Sequence, residues 1–177
     1  MAVLPTPANR RVWLVLLVGA QLLFIAAVAA AGYATTAYGR TVQLRTAPVN
    51  PRDLLERDHL RLTYGITYLP LSLWQEAKEP RRRQPVYVAL RAQGNAYAAV
   101  RVYEQEPRAL PSDQVILRGW VVGSSRRTLR LRYGLERYYA PESQVKALNK
   151  KGPHALLVHV SIAPWGQARI TEAEVLP

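Results

Sequence analysis

Leu129–Leu135 reads Leu-Arg-Leu-Arg-Tyr-Gly-Leu, and Leu60–Ile66 reads Leu-Arg-Leu-Thr-Tyr-Gly-Ile. In the first stretch Leu129, Leu131 and Tyr133 alternate with Arg130 and Arg132. In the second, Leu60, Leu62 and Tyr64 alternate with Arg61 and Thr63. Successive side chains of a strand leave opposite faces, so period two with one apolar set marks a half-buried strand. Leu156, Val158, Val160 and Ile162 keep the same period against Leu157, His159 and Ser161. Further strands are expected over Thr41–Thr46, Val86–Ala92, Ala96–Tyr103, Val115–Val122 and Ala168–Val175. Gln93-Gly94-Asn95 and Pro164-Trp165-Gly166-Gln167 are expected hairpin turns, with a further turn at Gly123-Ser124-Ser125. Helix is scarce: one short helix from Pro141 to Asn149, and one turn from Pro51 to Arg57. The fold class is mainly β.

The two seven-residue stretches point to internal duplication. Each is preceded by a strand containing Leu-Arg, at Leu44-Arg45 and Leu117-Arg118. Each is followed by a polar connection and a two-strand hairpin. The halves would be 40–108 and 109–177. Two such units would form a β-barrel-like or sandwich domain, closing off strand edges.

Ahead of this domain, Val12 to Ala31 reads VWLVLLVGAQLLFIAAVAAA, without charge and with one amide, Gln21. As a helix it is about 30 Å long, the thickness of a bilayer core. Trp13 and Tyr33 flank it, as interfacial aromatics do. It exceeds the usual length of a cleaved secretory core, so an uncleaved single transmembrane helix is expected over 12–32. Arg10 and Arg11 precede it and favour a cytoplasmic N-terminus over 1–11. Residues 33–40 would be a linker and 41–177 an extracytoplasmic β-rich domain at the cell membrane.

The 177 residues suit one domain plus this segment. Cysteine is absent, which excludes disulfides and thiolate chemistry, and three histidines make a histidine-rich metal site unexpected. No cofactor is expected. Lys+Arg is 24 against 12 Asp+Glu, for a net charge of +12. The basic residues form no nucleic-acid motif, so nucleic acid is not an expected partner. Such a surface suits anionic lipid headgroups. Arg81-Arg82-Arg83 lies between Pro80 and Pro85 and is expected in an exposed loop.

Arg57-Asp58-His59-Leu60-Arg61-Leu62-Thr63-Tyr64 resembles the motif G-D-Y-x-x-L-x-Y, with Arg57 and His59 replacing its glycine and first tyrosine. Pro51-Arg52-Asp53-Leu54-Leu55 is similar to the P-R-D-L-L that leads into it. Tyr133 to Glu142, YGLERYYAPE, resembles the same family's Y-G-x-E-R-Y-x-x-P-E. The chain thus resembles the bacterial GDYXXLXY membrane proteins. The resemblance implies a single-pass envelope protein with a β-rich domain, and no particular activity.

It also directs attention to Arg52, Asp53, Asp58, Leu62, Tyr64, Glu136, Arg137, Tyr138 and Tyr139. Asp58 is read as bracing the turn into its strand, and Tyr64 as a core residue with a bonded hydroxyl. Glu136 and Arg137 are read as a corner ion pair beside two tyrosines, with a ligand-binding corner as the alternative. Ser143-x-x-Lys146 matches a penicillin-interacting pattern whose companion motifs are missing. No nucleophile–base–orienter set assembles, so no catalytic residue is assigned. The first expectation is a non-enzymatic binding or accessory subunit of a membrane-protein complex. Trp74, Trp120 and Trp165 are candidate contact residues, with core roles as the alternative. The alternatives are an envelope hydrolase or peptidase using Asp58, Glu136 or Ser143, and a carrier holding a small ligand.

Overall fold

A computed structural model describes residues 7–37, 39–48, 60–139 and 155–175. The two expected short helical segments, at 51–57 and 141–149, lie outside these residues. Helix α1 (Pro7–Ala37) leads into strand β1 (Arg40–Arg45). There follow β2 (Leu60–Arg61), β3 (Tyr68–Pro70), β4 (Pro85–Gln93), β5 (Ala96–Tyr103) and β6 (Gln114–Ser124). The chain continues through β7 (Thr128–Arg132), β8 (Arg137–Tyr138), β9 (Leu156–Ile162) and β10 (Ala168–Val175). All pairings between strands are antiparallel, in the orders β1-β9-β10, β2-β8 and β3-β7-β6-β4-β5. The Thr46–Tyr64 bridge links the end of β1 to the stretch that follows β2, and β1 packs on β5, so the sheets form a nearly closed barrel. Single-residue bulges interrupt the β4–β5, β6–β7 and β9–β10 pairings, where they bend the strands into that curve.

The strand pairing follows a two-fold pattern about the stretches LRLTYGI and LRLRYGL. The first strand of the first half, β1, pairs with the second half's hairpin, β9–β10. The first strand of the second half, β6, pairs with the first half's hairpin, β4–β5. The short strand after each repeat also crosses over: β3 pairs with β7, and β8 with β2. Each half lends its hairpin to the other, so neither half completes a sheet alone.

Two tyrosines close this exchange. The Tyr64 hydroxyl donates to the Leu135 carbonyl at 2.8 Å, and the Tyr133 hydroxyl donates to the Ile66 carbonyl at 2.7 Å. They occupy equal places in the two repeats, and each reaches the last residue of the other. Tyr64 is 1% exposed and Tyr133 5%. Their main-chain amides are also held alike. Tyr64 N–H donates to Thr67 Oγ1 at 3.1 Å, and Tyr133 N–H to Glu136 Oε1 at 2.6 Å, three residues on in both cases. Gly119 makes room for the Tyr133 ring, since a Cβ there would stand 3.0 Å from two ring carbons.

One apolar core fills the interior, with Leu44, Leu62, Leu90, Leu117, Leu129 and Leu131 among its fully buried members. Two readings need correction. Leu60–Tyr64 is not one strand: β2 ends at Arg61, and Tyr64 keeps only its bridge to Thr46 before a single helical turn, Gly65–Thr67. The face of β9 read as solvated buries Leu157 and Ser161, and α1 approaches this strand. The turns at 93–95 and 164–167 lie where expected, with Gly94 at φ +64° and Gly166 at φ +83°, conformations that favour glycine. The third turn falls slightly later, after β6 ends at Ser124.

Helix α1 includes Arg11–Ala30, whose mean hydropathy is 2.5 and whose side chains are all exposed. A helix apolar on every face and unburied in its own protein is not a core helix.

Removing one tyrosine hydroxyl leaves a buried carbonyl without its donor, which costs about 1–2 kcal/mol. Tyr64→Phe and Tyr133→Phe should therefore each lower stability by about that amount. Urea unfolding of the full chain in neutral detergent checks this.

Candidate functional site

A cleft with a volume of about 860 Å³ lies where the two repeats meet. The repeats wall it with matched positions. The first contributes Arg61, Leu62, Thr63, Thr67 and Tyr68; the second contributes Arg130, Leu131, Arg132, Glu136 and Arg137 in the same order. Trp120, Val122 and Gly134 complete the wall.

Strand alternation explains its chemistry. Leu129 and Leu131 of β7 enter the core, so Arg130 and Arg132 project outward. Tyr68 lies opposite Arg130 across β3–β7, and the Arg130 Cζ stands 5.6 Å from the Tyr68 ring centre. On β6 the Arg118 Cζ lies 5.7 Å from the Trp120 ring. Such contacts hold a guanidinium over an aromatic face while leaving its N–H donors open. Across β2–β8, Arg61 lies directly opposite Arg137.

Arg61, Arg130, Arg132 and Arg137 therefore share one open cleft. Among the described residues none of the four is in an ion pair. Glu136, the cleft's one carboxylate among them, is bound to the Tyr133 amide. The cleft can bind anions through several charge-assisted hydrogen bonds. No group of three or more acidic or histidine residues suited to a metal ion occurs among the described residues.

The residues singled out from sequence separate into distinct roles. Leu62 is core, and its N–H donates to the Glu136 carbonyl at 2.9 Å. Tyr64 is core with a bonded hydroxyl, as read. Glu136 does not pair with Arg137: its carboxylate turns back to the Tyr133 amide, and Arg137 faces solvent and Arg61. Tyr138 packs against the core and Tyr139 is exposed. Arg52, Asp53, Asp58 and Ser143 lie outside the described residues. Of the tryptophans, Trp74 is buried, Trp120 lines the cleft and Trp165 is exposed. Sequence reasoning missed Arg61, Arg130, Arg132 and Tyr68 as one site. Their alternation marked an outward face, but local pattern carries nothing about which strands become neighbours.

A family model described as GDYXXLXY protein matches residues 21–172. The chain belongs to the GDYXXLXY family. The matched range takes in both tyrosine repeats and the whole cleft. No curated protein and no solved structure matches the chain.

The two tyrosines also give the domain a pH signature. Burial pushes the hydroxyls of Tyr64 and Tyr133 well above the ordinary value of 10.0, and the nearby Glu136 carboxylate raises both further. Below pH 10 both residues are protonated in the folded and unfolded chain, and their contribution is complete. Above it the unfolded chain releases protons that the folded chain retains. Stability should then fall by up to about 1.4 kcal/mol per pH unit for each tyrosine. Denaturant titrations on either side of pH 10 check this, and Tyr133→Phe should weaken the dependence.

Proposed function

We propose that this is a single-pass membrane-anchored protein of the bacterial envelope, acting as a non-enzymatic binding or accessory subunit of a membrane-protein complex. In this reading α1 spans the cell membrane with its N-terminus in the cytoplasm, and the β domain lies outside. The observation that carries the binding role is the open cleft with four arginines free of ion pairs among the described residues. The exposed apolar length of α1 supports the anchor. An anchor confines the domain to one plane and raises its effective concentration towards membrane partners. Arginine and aromatic side chains are favoured at protein interfaces.

Gentle detergent extraction from native membranes, followed by size analysis and mass spectrometry, tests the reading. The expected result is co-migration with a membrane protein in fixed stoichiometry. A lone monomer would overturn the accessory role.

A further inference from the structure

The duplicated scaffold provides an internal comparison. Tyr68 and Arg137 hold the same place after the two repeats, and they face Arg130 and Arg61, which also correspond. In one copy the cross-strand pair is a ring and a guanidinium, which attract. In the other it is two guanidinium groups, directly opposed. Like charges facing each other across an antiparallel pair are destabilising. The fold accommodates an aromatic residue at this position, yet the second copy places an arginine there, inside the cleft. No carboxylate among the described residues pairs with either arginine. An anion bridging the pair would relieve that repulsion.

We infer that this cleft binds an extended acidic segment of a partner protein, with carboxylates engaging Arg61, Arg137, Arg130 and Arg132. Arg130 and Arg132 lie two residues apart on one face of β7, a spacing of about 6.6 Å. That is also the spacing of alternate side chains in an extended peptide, so successive carboxylates on one face of such a segment match successive arginines. The cleft wall is also met only past the far end of β1 from α1. Ala47, whose N–H donates to the Thr63 carbonyl in the cleft wall, is separated from Arg40 by about 23 Å of extended chain. This favours a protein segment over headgroups at the point where the chain leaves α1. The inference rests on the accessory-subunit reading only for the origin of the segment.

The test uses the full chain in neutral detergent and a fluorescein-labelled peptide alternating glutamate and threonine, read by anisotropy. The double variant Arg61→Gln/Arg137→Gln should weaken binding by about tenfold or more, since it removes two charge-assisted contacts. The double variant Arg81→Gln/Arg82→Gln removes the same charge from an exposed loop and should leave binding unchanged. The melting temperature of Arg61→Gln/Arg137→Gln should be equal to or above that of the parent, because a repulsion is relieved. A lower one would overturn the opposed-charge argument. No binding, or equal weakening in both variants, would overturn the site. Displacement of the peptide by phosphatidylglycerol vesicles or inorganic phosphate at comparable charge concentration would overturn the peptide assignment. Binding is measured on the isolated chain, so it can succeed or fail independently of co-migration with a partner.

Discussion

Each repeat sends a buried tyrosine hydroxyl to a main-chain carbonyl of the other, Tyr64 to Leu135 and Tyr133 to Ile66. A buried carbonyl and a buried hydroxyl must both find partners, because leaving either unbonded in an apolar interior is expensive. Here each satisfies the other across the junction of the two halves. The exchange sets the two repeats side by side, and the strands that follow them can then only pair across the junction. β3 meets β7, and β8 meets β2. The crossing of the hairpins carries the same exchange through the whole domain.

This constraint also creates the cleft. With the repeats held face to face through their tyrosines and leucines, the intervening polar positions are forced outward together. Arg61 and Arg130 are matched positions, as are Thr63 and Arg132, and the residues after the repeats add Tyr68 and Arg137. The inner face of the repeat builds the core and the outer face builds a basic surface. The two cannot be separated, because they are alternate residues of the same strands. Glu136 is drawn into the inner arrangement: its carboxylate serves the Tyr133 amide, as Thr67 serves the Tyr64 amide in the first copy. The one acidic residue among the described cleft residues is thus committed to structure, which leaves the arginines without a counter-charge there.

Much of the fold was legible in the sequence. The period-two alternation of β7 and β9, the glycine turns at 93–95 and 164–167, and the repeat itself all have local causes. So has the exposed apolar helix, whose residues show no face that a soluble core would select. Reading failed where neighbours in space overrule neighbours in sequence. β2 stops at Arg61 because the chain turns at Gly65 to bring Ile66 under the Tyr133 hydroxyl. The second face of β9 is partly covered because α1 approaches the sheet there. Glu136 and Arg137 suggest a corner ion pair, but the Glu136 carboxylate is taken by the Tyr133 amide three residues back.

The sequence alone determined the β class, the positions of the hairpins, the two similar seven-residue stretches and the family, because each is written in short-range pattern: period, turn chemistry and motif. Only the tertiary structure decided which half supplies each strand's partner. It alone showed that Tyr64 and Tyr133 are exchanged, and that Arg61 faces Arg137. Antiparallel pairing joins residues tens of positions apart, and their side chains carry no local mark of the partner they will meet. The basic cleft belongs to that second category: its arginines are evident one by one in the sequence, but the charge they bring together exists only once the two halves have closed.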